Sequence, residues 1–99
     1  MKIKPGVSIA GIRPELVLAL CIADTTYAQY ANNLIVTSVL DGEHMRGSLH
    51  YVGAAADLRK PADDVGVIVD RLRDSLGDNY DVVLETDHIH IEFQPKVGA

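Results

Sequence analysis

Two short segments concentrate the residues able to do chemistry. Ser48-Leu49-His50-Tyr51-Val52-Gly53-Ala54-Ala55-Ala56-Asp57 and Glu85-Thr86-Asp87-His88-Ile89-His90-Ile91-Glu92 hold three of the four histidines together with four carboxylates. Neutral imidazole and carboxylate are the nitrogen and oxygen donors that zinc takes. Three such protein ligands with a fourth position open make a catalytic rather than a structural site. In the second segment, strand alternation sets His88, His90 and Glu92 on one face and Ile89, Ile91 and Phe93 on the other. That face is compatible with a metal site, but on this segment alone an ordinary solvated strand is the plainer reading. In the first segment Gly53 allows a sharp backbone turn, and the three alanines let Asp57 approach a neighbouring strand closely. An ionised carboxylate beside a packed strand is costly unless paired or metal-bound. The plainer readings are an ion pair from Asp57 to Arg59 or Arg46, and a hydrogen-bonded loop role for His50.

The elements around these segments read as one continuous domain over residues 1–99, without repeats or linkers. Val7 to Ile12 is expected as a short edge strand or an extended lead-in. Pro14 and Glu15 suit a first helical turn. Leu16, Val17, Leu20, Ala23, Tyr27 and Tyr30 then recur at helical spacing to about Ala31. Asn32-Asn33 ends that helix, and the β-branched run Leu34 to Val39 predicts a strand. Asp41-Gly42 opens an expected loop through Gly47, and Ala54 to Leu58 predicts a short strand. Pro61 is expected to start a second helix, with Asp63 and Asp64 in its first turn. Val65, Ile68, Val69, Leu72 and Leu76 form its inner face, and Gly77 caps it. Tyr80 to Glu85 and Ile89 to Phe93 predict a hairpin. The sum is an α+β fold with a mainly antiparallel sheet packed with two helices.

Bulk composition narrows the chemistry further. A net charge of −5, with 9 Lys and Arg against 14 Asp and Glu, disfavours nucleic acid as a partner, because phosphates need cations to neutralise them. Cys21 is the single cysteine, so neither a disulfide within the chain nor a thiolate metal cluster is available. Within Leu18 to Ala23 it reads as a small buried hydrophobe. Val17 to Ala23 is too short to span a membrane, and the first residues do not resemble a signal peptide. Synthesis in a cytoplasm is expected.

The pattern Ser-x-His-x-x-Gly-x-Ala-x-Asp falls on Ser48, His50, Gly53, Ala55 and Asp57. An acid three residues before a histidine, followed by an apolar and an acidic residue, falls on Asp87, His90, Ile91 and Glu92. Together these segments, residues 48–57 and 85–93, resemble the D-alanyl-D-alanine metallopeptidases. These are zinc enzymes that cut peptidoglycan peptides and share a fold with hedgehog-type domains. The resemblance implies Zn2+ as cofactor, His50, Asp57 and His90 as its ligands, and Asp87 as the catalytic carboxylate. His88 or Arg46 would border the oxyanion, and Glu92 or Ser48 would orient the ligand imidazoles. A second register stays open, since Glu85 and His88 repeat the acid-x-x-histidine spacing.

The family often carries an arginine after the strand that resembles Leu34 to Val39. Here Thr37-Ser38-Val39-Leu40-Asp41 holds none, and Arg46 or His44 would stand in. That departure leaves carboxypeptidase and endopeptidase both open. The small size resembles bacteriophage endolysins and virion enzymes, which act on the bacterial cell wall. The implied partner is therefore a peptidoglycan peptide, with oligomeric state undetermined. A non-catalytic zinc-binding module of the same fold is the alternative, and a metal-free interaction domain a third. His88-Ile89-His90-Ile91 also resembles the histidine-triad nucleotide hydrolases, but Glu92 occupies the third alternating position and no phosphate-binding loop appears.

Overall fold

The computed structural model describes residues 1–43 and 50–95, with side chains described for 1–41 and 53–95. Its elements run β1 (Lys2–Ile3), α1 (Pro14–Gln29), β2 (Ile35–Glu43), β3 (His50–Arg59), α2 (Val65–Leu76), β4 (Tyr80–Leu84) and β5 (His88–Phe93). The strands form one open five-stranded sheet in the order β1-β2-β3-β5-β4. Only β1 and β2 pair in parallel; the other neighbours are antiparallel. The fold is α+β.

Helix α1 starts at Pro14, whose fixed φ and missing N–H suit a first turn. Leu16, Ala19, Leu20, Ala23, Thr26 and Tyr27 recur every three or four residues, and all are buried. The helix ends at Gln29, and just beyond it Ala31 takes a φ of 57°, in the left-handed region, which prevents its continuation. The Asn32 side chain then accepts from the backbone N–H of Ala62 at 3.0 Å, tying this end to the segment that leads into α2. In α2, Ile68, Val69, Leu72 and Leu76 face inward, and the Gly77 N–H caps the helix on the Arg73 carbonyl. Both inner faces join Val36, Leu58, Ile89 and Ile91 in one core. Each such buried aliphatic side chain contributes about 1.5–3 kcal/mol. The opposite face of β3 and β5 carries Asp57, Arg59, His88, His90 and Glu92, with the small Ala55 among them.

Several sequence expectations change. Val7 to Ile12 is not a strand: Gly6 and Gly11 have φ of 89° and 76°, and local turns close from Val7 to Lys4 and from Ile12 to Ile9. The edge strand is Lys2–Ile3 instead. Residues 41–43, expected as loop, continue β2, because Gly42 and Glu43 pair with Tyr51 and His50. The second helix starts at Val65 rather than Pro61, since Asp64 at φ 60° cannot sit in a right-handed helix. Cys21 is exposed, not buried, and Val17 is 45% exposed. Each follows a buried residue, Leu20 and Leu16, by one position, and one helical step of about 100° turns a side chain off the inward stripe.

No helix among the described residues is long and apolar enough to cross a membrane.

Candidate functional site

Antiparallel pairing brings the two chemistry-bearing segments together. Strand β5 lies between β3 and β4, and its register sets Asp57 opposite His90, Arg59 opposite His88 and Ala55 opposite Glu92. Ile89 and Ile91 are fully buried on the core side. His88, His90 and Glu92 therefore project from the other face, as the alternation predicts.

On that face, acids and imidazoles alternate in a line. Asp87 Oδ1 lies 2.6 Å from His88 Nδ1, and His88 Nε2 lies 3.5 Å from Asp57 Oδ1. The same Asp57 oxygen is 2.7 Å from His90 Nδ1, while His90 Nε2 is 3.1 Å from Glu92 Oε1. Both ring nitrogens of each histidine thus face carboxylates, the arrangement that favours the doubly protonated ring. Burial pushes His90 toward the neutral form, but its hydrogen bonds to Asp57 and Glu92 and their charges outweigh that and raise its pKa. The Asp87 hydrogen bond raises that of His88. His88 in turn holds the Asp87 carboxyl below its usual range.

The backbone beneath is fixed from several sides. The Thr37 hydroxyl donates to the Asp57 carbonyl at 3.2 Å. Tyr27, fully buried, donates its hydroxyl to the Arg59 carbonyl at 2.8 Å. Between Leu40 and Gly42 of β2, β3 advances from Ala55 back to Tyr51, so β3 carries two extra residues there. Gly53 sits in this bulge at φ 65°, accepting from the Arg13 N–H and donating to Asp41 Oδ1 at 3.0 Å. A Cβ on Gly53 would meet the Gly11 carbonyl oxygen at 2.4 Å. Glycine is required there both by φ and by space. Positions seven apart in a regular strand face opposite ways; the bulge interrupts that alternation between His50 and Asp57.

The expected site residues fall as follows. Asp57 and His90 are in direct contact, His88 touches Asp57, and Asp87 stands at the rim with its side chain 86% exposed. The His50 backbone pairs with Glu43 at the start of β3, but its side chain lies outside the described residues. Arg46, His44 and Ser48 lie wholly outside them. Glu92 does contact a ring nitrogen of His90, as expected of a residue that orients an imidazole. Glu85 is exposed and donates its backbone N–H to the His88 carbonyl in the tight turn between β4 and β5. Among the described residues Asp57 faces His88 and His90 rather than Arg59; the alternative partner Arg46 lies outside them. Among the described residues no three histidine, cysteine, aspartate or glutamate side chains converge to hold a metal ion.

Do these donors suit zinc? One imidazole and one carboxylate from distant segments meet at 2.7 Å on the face of the sheet opposite the core. They are the donor types zinc takes, so the pair fits two corners of a tetrahedral site. The hydrogen bond between them must give way when both turn to an ion.

A cleft of about 350 Å³ opens beside the pair, lined by Lys4, Thr37, Ser38, Asp57, Arg59, Asp87 and His88. Sequence reasoning did not place Lys4 here, since nothing in a two-residue strand announces its pairing. Arg59 was visible only as a possible partner of Asp57, although its spacing of two from Asp57 already puts both on one strand face. No family model, curated protein or solved structure matches the chain.

Proposed function

We propose that this chain is a zinc-dependent peptidase of the D-alanyl-D-alanine metallopeptidase type that hydrolyses peptidoglycan stem peptides. The observation that carries the reading is the direct pairing of Asp57 with His90. Asp57 and His90, one from each of the two motif-bearing segments, lie 33 positions apart in sequence and adjoin at 2.7 Å beside a cleft.

His50, Asp57 and His90 would hold the ion. When bound, zinc supplies a Lewis acid that polarises the scissile carbonyl and acidifies water. The remaining roles belong to the chain. Asp87, held ionised by His88, accepts a proton from the attacking water and returns it to the leaving amine. His88 keeps its Nδ1 on Asp87, and its Nε2, released when Asp57 turns to the ion, would present an N–H toward negative charge developing on the substrate oxygen. Glu92 orients His90 through its Nε2, the partner a ligating imidazole characteristically has.

Zinc analysis and peptide hydrolysis test these roles together. Alanine at His50 or Asp57 should abolish zinc retention. Asp87→Ala should keep zinc and lose at least about a hundredfold in turnover, the scale of a lost general base. Full turnover by Asp87→Ala would overturn its assignment. A zinc-binding module without catalysis is the competing reading, favoured by the engagement of Asp87 with His88. It predicts retained zinc with no peptide cleavage in the unaltered protein.

A further inference from the structure

Resting on that peptidase reading, we infer that Lys4 and Arg59 form an anion-holding wall of the cleft that fixes a carboxylate of the peptide substrate. The cleft's acids are already answered: Asp87 and Asp57 each face an imidazole. Its two cations are not. Among the described residues, neither the Lys4 ammonium nor the Arg59 guanidinium has an ion-pair or hydrogen-bond partner, although acids outnumber bases in the chain by 14 to 9.

Both cations are placed by the fold. The Lys4 N–H donates to the Val36 carbonyl at 2.9 Å, which extends the β1 pairing by one residue and holds Lys4 beside β2. The Arg59 carbonyl is gripped by Tyr27, and its register opposite His88 sets the guanidinium on the histidine-bearing face. Lys4, Thr37 and Ser38 also line a second hollow of about 430 Å³, formed with the segment from Pro5 to Ser8. Lys4 therefore lines both hollows, and an extended chain lying through both would pass it. A planar guanidinium grips a carboxylate in bidentate fashion, whereas a lysine supplies a mobile point charge. Together they suit the free carboxylate of a peptide, either its terminal group or an internal glutamate.

The test uses the whole chain with zinc and three N-acetylated probes. These are D-alanyl-D-alanine with a free terminus, its amide, and an amidated peptide whose one carboxylate is an internal D-glutamate. Affinity is read by ligand-observed NMR titration, which needs no turnover, and KM by hydrolysis. Lys4→Gln and Arg59→Gln should each weaken binding about five- to tenfold for one carboxylate-bearing probe, with kcat within about twofold. Arg59→Lys should restore part of the loss. Loss with the free-terminus probe alone assigns the terminal carboxylate; loss with the glutamate probe alone assigns the internal one. Equal loss with the carboxylate-free amide, or no loss with any probe, overturns the inference. A protein that cleaves peptides yet ignores both substitutions refutes the wall and leaves the peptidase reading standing. One that binds carboxylates through Lys4 and Arg59 but cleaves nothing refutes the reverse.

Discussion

Gly53→Ala is the perturbation whose cost follows most directly from the structure. At φ 65° an alanine carries the left-handed penalty of about 1 kcal/mol. Its Cβ would also stand 2.4 Å from the Gly11 carbonyl oxygen and 3.0 Å from the Ile12 Cα. These are backbone atoms, so no rotamer change relieves the overlap, and either the Gly11 segment or the β3 bulge must move. Movement of either endangers two hydrogen bonds, Arg13 N–H to the Gly53 carbonyl and Gly53 N–H to Asp41, at about 1 kcal/mol each. The total is about 3 kcal/mol, a large share of the roughly 5–15 kcal/mol of a whole domain. For a chain this size it corresponds to a melting midpoint lower by roughly 12–24 °C. Gly66 is the internal control: a Cβ there meets nothing within 4 Å, and helix α2 should gain about 0.5 kcal/mol from alanine. Urea denaturation of both variants measures the difference. A Gly53→Ala protein within about 1 kcal/mol of the parent would refute the reasoning.

Other consequences can be checked on the same material. Folding raises the pKa values of His88 and His90, so their stabilisation is complete below the ordinary imidazole value of about 6.5 and is lost as pH rises through the raised values. With chelator present, the melting midpoint should fall from about pH 6.5 upward, and His90→Gln should flatten the slope; a midpoint that rises over that range contradicts the cluster. Zinc competes for the deprotonated rings, so zinc retention should strengthen over the same range, as a competitive metal indicator would report. Cys21, being exposed, should react with a disulfide reagent in the folded protein without a lag for unfolding; reaction only on denaturation would contradict its placement.

What the sequence made legible was periodicity. The alternation through His88, Ile89, His90 and Ile91 located one polar and one buried face because a strand offers side chains only two directions. Leu16, Leu20, Ala23 and Tyr27 likewise marked the inward stripe of α1. Features set by distant pairing were not legible. The two residues of β1 carry no pattern, and their place beside β2 arises from backbone hydrogen bonds that any sequence can make. Asp41-Gly42 reads as a turn, yet pairing with Tyr51 and His50 keeps the chain extended. Cys21 misled because residue type predicts average burial, while angular position on the helix decides the individual case. For the site, the motifs supplied Asp57 and His90 as a pair, but the cations Lys4 and Arg59 emerged only once the strands were in register.

Mass spectrometry of muropeptides digested by the purified protein, with zinc and with a chelator, tests the central claim most directly. Cleavage at a defined stem-peptide bond that disappears with chelator and returns on adding zinc is the predicted result. Intact muropeptides from a folded, zinc-loaded protein would contradict it.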